Sequence, residues 1–249
     1  MALLFTPLKM GAQTLPNRIC VPPMCCCLAR EGVGSDELIA HYEKLAASGA
    51  GLVVIEATAV RADGRNTTRC LGLYNDEQER FFKRLLKACR AVAPAETKFF
   101  LQLSHCGRKG SRKDPKTGHG TLLPEEGGFA LMAPSAVAYT PHAPMPREMT
   151  EADIAQMLQA FEAAAHRAAH VGFDGIQIHA AHGYLVHQFL SPVTNRRTDN
   201  WGGSLQNRQR FALEVVKAVQ RGAPELDVMV RLSACDWMQN GAVEEQALS

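Results

Sequence analysis

Alternating strand and helix patterns constrain the fold of this chain more than any other feature. Five short apolar runs are typical of strands, at 18–21, 51–57, 98–103, 173–178 and 226–232. The run at 51–57 is nearly all apolar and rich in β-branched residues, as expected for a strand buried on both faces of a parallel sheet. Amphipathic helical patterns fill the crossovers. The sequence therefore predicts an α/β protein, either doubly wound or a (β/α)8 barrel.

End signals support the predicted helices, which span 35–48, 76–92, 150–171 and 204–221. Ser35 is placed as an N-cap, with acidic residues in the following turn, and Gly49 is placed to end that helix. Thr150 and Asp153 have the spacing of a capping box, and Gly172 is placed to end the third helix. These signals predict where the crossovers begin and end.

Charge and hydropathy limit the partners of the chain. Its 249 residues include 27 basic and 25 acidic ones, giving a net charge of +2. No basic run of the nucleic-acid type occurs, so no nucleic-acid partner is expected. The N-terminus lacks the basic region of a signal peptide, and no apolar run approaches the ~20 residues that span a bilayer. We expect a cytoplasmic protein without a membrane partner.

The cysteines do not follow a structural framework. Eight are present, at positions 20, 25, 26, 27, 70, 89, 106 and 235. Three are consecutive, and the spacings match no paired C-x₂-C pattern. Disulfides are not expected in a chain of this length without a secretion signal. The spacings also predict no zinc or iron–sulfur ligation, so no metal is expected.

Several chemically capable side chains lie where predicted strands end. They are Pro23, Met24, Cys25, Glu56, Ala57, Gln102, His105, His179, His182, Tyr184 and Arg231. In a parallel barrel all these strand ends open onto one face, where ligands bind. The face would offer a thiol, an amide, imidazoles, a phenol and a guanidinium. It lacks the carboxylate pair of a glycosidase and the serine elbow of an α/β-hydrolase.

Ordered motifs along the whole chain resemble the old yellow enzyme family of flavin-dependent ene-reductases. The resemblance is closest to the bacterial branch with the 2,4-dienoyl-CoA and 2-enoate reductases. The motifs are Asn17-Arg18, Pro23-Met24, 51–60, 101–109, 179–185, 189–192, 195–199, 202–208 and 230–233. The resemblance implies a TIM-type (β/α)8 barrel, with residues 1–249 forming part of one FMN-binding domain.

The resemblance also implies a cofactor site. Pro23, Met24 and Cys25 would line the FMN, with Cys25 near its O4/N5 edge. Gln102 would hydrogen-bond the pyrimidine ring, Ala57 would contact the flavin, and Arg231 would lie near N1 and O2. A fixed cation there stabilises negative charge on the reduced flavin.

In the same resemblance, His179 and His182 donate hydrogen bonds to the carbonyl oxygen of the substrate, and Tyr184 protonates its α-carbon. The implied reaction transfers hydride from NAD(P)H through FMN to the activated C=C of an enone, an enoate or an enoyl thioester. The sequence favours none of these small-molecule substrates over the others. It also leaves open NADH against NADPH and the formation of a homo-oligomer.

Each candidate also has an ordinary structural interpretation. The histidine pair could be structural, and joint action requires the backbone to turn after His179, which Gly183 makes easier. Arg231 could pair with Asp236, and Gln102 could be a satisfied interior amide. Further alternatives are buried structural cysteines at 25–27 and a metal-dependent hydrolase using His105, His179 and His182. Many members of the family have tyrosine where Cys27 stands.

The count of strands predicts an incomplete barrel. Only five strands are found by Leu232, because the connections over 104–149 and 185–203 are long. A further helix is predicted over 243–249. We therefore expect a barrel truncated after about five strands, lacking the last ones. A second hypothesis is a non-catalytic partial barrel that cannot retain FMN and acts only by association, because open strand edges and interior would be exposed.

Overall fold

A computed structural model of the chain describes residues 2–243. Its strands are β1 (Leu8–Met10), β2 (Gln13–Leu15), β3 (Cys20–Val21), β4 (Ala29–Arg30), β5 (Val33–Gly34), β6 (Leu52–Ala59), β7 (Lys98–Ser104), β8 (Met132–Ala133), β9 (Arg147–Glu148), β10 (Gly175–Ala180) and β11 (Asp227–Leu232). Its α-helices are α1 (Asp36–Ala46), α2 (Asp76–Val92), α3 (Glu151–Val171), α4 (Leu185–Leu190) and α5 (Leu205–Gly222).

The centre of the fold is a five-stranded parallel sheet with the order β11-β10-β7-β6-β3. Each strand of this sheet corresponds to one of the five apolar runs, so the predicted strands are confirmed. The sheet is a wall of a (β/α) barrel, as expected. All its pairings are parallel, so every strand ends at the same rim. That rim carries the predicted functional residues.

The two faces of the sheet are packed differently. The outer face buries Ile55, Leu101 and Ile178 against the helices, in a large core with Phe82 and Phe161. The inner face has a smaller apolar cluster of Leu15, Leu52, Val54 and Phe100. Each large buried side chain contributes roughly 1.5–3 kcal/mol through removal of its surface from water. Strand residues therefore alternate between the helices and the barrel interior.

Strands β1 and β2 pair antiparallel and form an N-terminal hairpin. It lies at the amino ends of the strands and covers the inner apolar cluster through Leu15. Its turn is held by Asp227 at the start of β11, whose carboxylate accepts the Ala12 and Gln13 N–H groups at 3.0 and 3.1 Å. The hairpin closes one end of the interior and leaves the functional rim at the other.

Local end signals match the predicted helices. The Ser35 side chain accepts the Leu38 N–H, and Thr150 forms a capping box with Asp153. Gly172 adopts φ +97° and ends α3, where a side chain would be strained. Helix α2 has the predicted bounds. The first helix ends earlier than expected, at Ala46, before Gly49.

Both long connections contain structure that the sequence did not predict. The segment 185–203 begins with α4, and the segment 104–149 brings β8 and β9 together as a two-stranded pair. The helix predicted over 243–249 falls on residues 244–249, which lie outside the described range. No helix within the described range is long and apolar enough to cross a bilayer.

One flank of the sheet is open. Val230 and Leu232 of β11 point to the helix side, yet they are 38% and 48% exposed. With Ala212 and Val216 of α5 they line an apolar groove of about 320 Å³. The exposed edge and groove agree with the expectation of an open partial barrel.

Candidate active site

Neighbouring strands bring the predicted residues to one rim. In the sheet register His179 of β10 lies opposite Arg231 of β11, and Gln177 lies opposite Gln102 of β7. Because Ile176 and Ile178 face the helices, the alternating Gln177 and His179 face the barrel interior. Parallel pairing therefore places an amide, an imidazole and a guanidinium on one wall.

The segment after β10 turns sharply and gathers three rings. His182 and Gly183 adopt φ +59° and +72°, both in the left-handed region. The turn brings the His182 ring to 5.1 Å and the Tyr184 ring to 4.8 Å from the His179 ring, each edge to face. The predicted turn between the two histidines is thus present, and His182 takes part in it together with Gly183.

His179 is neutral and presents a single donor. It is 4% exposed, and burial, followed by electrostatic interaction with His182 and Arg231, lowers its pKa to about 3. Its Nδ1 accepts the Ala181 N–H at 3.3 Å. In a neutral imidazole whose Nδ1 accepts, Nε2 carries the proton. His179 can therefore donate from Nε2 across the pH range in which enzymes work.

His182 is exposed, and its backbone is fixed on both sides. Its N–H donates to Ser233 Oγ at 2.9 Å, and its carbonyl accepts from Lys109 Nζ at 2.8 Å. Partial burial and the Arg231 charge lower the pKa of its imidazole. Both histidines thus favour the neutral form, which can donate a hydrogen bond without carrying charge.

Tyr184 is held in its protonated form. Burial, together with the neighbouring thiols of Cys106 and Cys25, raises the pKa of its phenol. The Lys109 ammonium lies 5.3 Å from the centre of its ring. A phenol that keeps its proton at neutral pH can serve as a general acid.

A buried histidine–aspartate pair supports this turn, and no sequence pattern indicated its role. His187 of α4 accepts the Gly183 N–H through Nδ1 at 2.9 Å, and its Nε2 lies 3.0 Å from Asp236 Oδ1. Burial alone would raise the pKa of Asp236, but hydrogen bonds from His187 and Ser191 lower it to about 2. The alternative pairing of Asp236 with Arg231 is wrong, because this carboxylate binds His187 and Ser191 instead.

Gln102 forms part of a row of interior side chains. Its Nε2 donates to Gln177 Oε1 at 2.6 Å, and Gln177 Nε2 contacts the Met229 sulfur at 3.6 Å. Among the described residues, the Gln102 Oε1 atom has no hydrogen-bond partner and Arg231 has no carboxylate partner. Gln177 is a site residue that sequence reasoning missed, although its alternation with Ile176 and Ile178 was visible.

The loop after β3 carries Pro23, Met24 and Cys25 to the same rim. Met24 is 52% exposed and Cys25 is also exposed, so the alternative of buried structural cysteines is wrong for Cys25. Cys25 and Ala57 line a small recess beside Tyr184. These residues are therefore available to a ligand at the rim.

Cys70 organises a cluster of thiols behind this loop. Hydrogen bonds from the Cys25 and Cys27 thiols and from Thr67 lower the pKa of Cys70, against the effect of its burial. Thr67 contributes both its N–H and its hydroxyl, each 3.4 Å from the Cys70 sulfur. The same contact with Cys70 raises the pKa of Cys25. Cys25 is therefore a neutral thiol at the rim.

Glu56 supports the loop from below. It is 1% exposed, and its carboxylate accepts the Cys26 N–H at 3.2 Å and the Tyr42 hydroxyl at 3.3 Å. Burial raises its pKa to about 7. Glu56 thus fixes the backbone next to Cys25 and does not point into the rim as a free base.

His105 has a structural position. Its Nδ1 accepts the Gly107 N–H at 3.1 Å, and its Nε2 lies 3.5 Å from Asp63 Oδ1. Its ring also packs against Gly64, where an added Cβ would lie 2.5 Å from it. His105 therefore acts in the packing of the 61–65 turn, apart from the ring trio of His179, His182 and Tyr184.

The rim has the donor set that the ring system of FMN requires. Gln102 offers an unpaired amide oxygen for a ring N–H, and Arg231 offers an unpaired guanidinium for the electron-rich carbonyl side. Ala57 presents a small, half-exposed side chain on β6, the strand that lies between β7 and β3. These features fit the flavin ring and belong to neighbouring strands of one wall.

A parallel barrel wall with a neutral histidine pair, a protonated tyrosine and an unpaired arginine at its rim defines a class of flavin-dependent barrel oxidoreductases. The chain belongs to the NADH:flavin oxidoreductase / NADH oxidase family, whose model matches residues 3–247. Members of this family use FMN with NAD(P)H. The resemblance noted from the sequence motifs is confirmed.

Individual relatives support this assignment. The chain is 42% identical over 243 residues to the NADPH dehydrogenase of Listeria welshimeri, a match that covers 97% of the chain and 66% of that enzyme. The solved old yellow enzyme homologue from Zymomonas mobilis is 30% identical with a TM-score of 0.82, covering 99% of this chain and 67% of that one. A solved morphinone reductase in complex with tetrahydroNAD is 31% identical with a TM-score of 0.82, and the match covers 100% of this chain and 68% of that one.

The chain is shorter than its curated relatives. It spans 58% to 66% of the length of the first of them. The family model matches the part of the chain that holds the five-stranded wall and the positions of His179, His182 and Tyr184.

Proposed function

We propose that the protein is an FMN-dependent oxidoreductase that uses NAD(P)H to reduce the activated C=C of an α,β-unsaturated carbonyl compound. One observation carries this proposal: the His182 imidazole and the Tyr184 phenol lie 5.1 and 4.8 Å from the His179 ring, beside Arg231, which has no carboxylate partner within residues 2–243. Such a set can bind a carbonyl oxygen and deliver a proton without any metal or nucleophile. FMN, when bound, supplies the hydride carrier.

The residues of the chain would divide the chemistry as follows. His179 Nε2–H and the His182 imidazole donate hydrogen bonds to the carbonyl oxygen of the substrate. Negative charge develops on this oxygen as the alkene is reduced, so each hydrogen bond strengthens along the reaction. Hydrogen bonds to a charged acceptor contribute roughly 1.5–3 kcal/mol each. Two such bonds would lower the barrier more than they stabilise the bound substrate.

Tyr184 would supply the proton. Its phenol keeps the proton at neutral pH because burial raises its pKa. Its ring lies next to His179, so the hydroxyl and the carbonyl donors belong to one site. Arg231, opposite His179 in the sheet, would stabilise negative charge on the cofactor ring. Pro23, Met24, Cys25, Ala57 and Gln102 would contact the same ring.

The Tyr184→Phe variant tests the assignment of the proton donor. We expect flavin reduction by NAD(P)H to proceed at the wild-type rate, while reduction of an enone slows by about 10²-fold, the usual contribution of general acid catalysis. The two half-reactions are measured separately by stopped-flow absorbance. Equal slowing of both would remove Tyr184 from this role.

A second candidate function is a partial barrel that acts only by association. The exposed Val230 and Leu232 at the β11 edge favour it, because an open apolar groove can take a partner. The absorbance spectrum of the purified protein separates the two functions. A protein that remains colourless after incubation with FMN would exclude the oxidoreductase function for this chain and leave association as its function.

A further inference from the structure

Three cations surround one aromatic ring next to the catalytic turn. The charged groups of Arg108, Lys109 and Arg112 lie 6.0, 4.9 and 5.9 Å from the centre of the Tyr139 ring. Tyr139 is 38% exposed, so the cluster faces solvent at the rim. We call these four residues the Tyr139 cluster. A single ring face cannot offset three like charges at such distances, since each cation–π contact contributes only about 0.5–1 kcal/mol at an exposed site.

The cluster has no acidic counterpart in the part of the chain that the structure describes. None of its three cations forms an ion pair with a carboxylate within residues 2–243. Two acids near the cluster along the chain pair with other cations, Asp114 with Arg69 and Glu126 with Lys113. Arg196 adds a fourth positive charge, which lowers the pKa of Arg108 after the larger effect of burial. The positive charge is therefore uncompensated and would attract an anion.

Two of the cations are fixed in place. Arg108 Nη1 donates to the carbonyls of Val137 and Ala138 at 3.1 and 3.0 Å, while its buried Nε has no hydrogen-bond partner. Lys109 Nζ donates to the His182 carbonyl at 2.8 Å and lies over the Tyr184 ring. The cluster is thus preorganised and connected directly to the ring trio.

We propose that the Tyr139 cluster is a binding subsite for the phosphate groups of a nucleotide that carries a reactant into the site. Guanidinium and ammonium groups bind phosphate oxygens strongly, and Arg does so in a bidentate manner. Two reactants have this chemistry, the nicotinamide nucleotide reductant and a coenzyme A thioester substrate. The kinetic part of the proposal rests on the proposed function, but phosphate binding itself does not.

Arg112→Gln is the variant that tests binding. The Arg112 side chain contacts the Tyr139 ring, and only its backbone N–H takes part in the loop structure, bonding to Asn66. Arg80→Gln is the matched control, because it removes the same charge from the exposed face of α2. Circular dichroism verifies that both variants fold, and Arg112→Lys provides a charge-conserving second variant.

Calorimetric titration with ADP and with free coenzyme A measures the subsite directly, with adenosine as the phosphate-free comparison. We expect Arg112→Gln to weaken binding of at least one phosphate ligand by about tenfold, the effect of one charge-assisted hydrogen bond. Arg80→Gln and adenosine binding should show no change. Equal ADP and coenzyme A affinities in the wild type and Arg112→Gln would overturn the proposal, even if the protein binds no FMN.

Kinetics then identify the source of the phosphate. If the reductant is bound here, Arg112→Gln raises the KM for NADH or NADPH but leaves that for phosphate-free 1-benzyl-1,4-dihydronicotinamide unchanged. If the substrate is bound here, the KM rises for an enoyl-CoA and stays constant for its N-acetylcysteamine thioester. Unchanged KM values in both pairs would contradict the proposal, because the phosphate would then bind away from the working site.

Discussion

The Asp236 carboxylate lies 3.0 Å from His187 Nε2, and through this imidazole it controls the backbone of the catalytic turn. The other ring nitrogen of His187 accepts the Gly183 N–H, which requires that Nε2 carry the proton. The negative charge of Asp236 next to Nε2 favours this tautomer. Ser191 and the Ala242 N–H bind its other oxygen at 2.6 and 2.7 Å.

Asp236→Asn should release the turn. The asparagine oxygen would still accept from Ser191 and Ala242, which leaves its NH₂ group facing His187 Nε2. Nε2 would then have to accept, so the proton would move to Nδ1 and the bond from the Gly183 N–H would be lost. We expect about tenfold weaker binding of a phenolic carbonyl ligand, measured by calorimetry. Ser191→Ala removes one bond from Asp236 without changing the tautomer, and it serves as the control. Equal affinity in Asp236→Asn and the wild type would show that the pair does not position the turn.

His182→Ala should weaken binding of the same phenolic ligand by about tenfold, because one hydrogen bond to its oxygen is lost. With His182 removed, the affinity of this variant for a cyclic ketone that does not ionise should be constant between pH 5 and 8. The reason is that His179, with a pKa of about 3, remains a neutral donor throughout. A sharp change in ketone affinity near pH 6.5 would mean that His179 titrates there, in conflict with its burial.

Glu56→Gln should change how stability depends on pH. The folded-state pKa of Glu56, about 7, exceeds its ordinary value of 4.5, so the folded protein holds a proton that the unfolded chain releases in this window. The contribution of the protonated Glu56 to the free energy of unfolding is fully present below pH 4.5 and is lost as the pH rises through 7. The free energy of unfolding of the variant relative to the wild type should therefore increase by about 3 kcal/mol from pH 4 to pH 8. Urea unfolding at both pH values measures this difference, and a constant difference would contradict the buried position of Glu56.

Gly183→Ala should separate backbone strain from ligand binding. Gly183 and Gly172 have φ +72° and +97°, and neither position has a heavy atom closer than 3.4 Å to an added Cβ. Both substitutions to alanine should cost about 1–2 kcal/mol of stability through φ alone. Only Gly183→Ala should also weaken binding of the phenolic ligand, because only this turn carries rings of the ring trio. Thermal unfolding and calorimetry provide both values, and equal ligand affinity in the two variants would contradict the role of the turn.

Local signals predicted much of this molecule. Ser35 and Thr150 cap their helices as their neighbours in sequence indicated, and the apolar run ending at His179 forms the expected strand. These features depend on residues within one turn of helix or one strand. The motif resemblance added the ring trio and the family. Periodicity alone allowed either a doubly wound sheet or a (β/α)8 barrel, and the ordered motifs favoured the barrel.

The missed features depend on contacts between distant parts of the chain. His187 and Asp236 are 49 positions apart and meet only because α4 packs beside the end of β11. Gln177 was recognisable as an interior residue only after the register of β10 with β7 was known. Tyr139 lies in a long loop, and no local pattern indicates which cations will surround it. Such pairs depend on tertiary packing, which a single sequence does not display.

The bond between the hairpin turn and Asp227 also sets an order of events during synthesis. Ala12 leaves the ribosome early, yet its acceptor follows 215 residues later. The hairpin therefore cannot take its final place until nearly the whole described chain has been translated, and the loop that must close is among the longest the chain can form. Until then the turn of the hairpin lacks this anchor and is held only by packing such as that of Leu15 on Leu52, so a nascent chain stalled before β11 would be more in need of a chaperone.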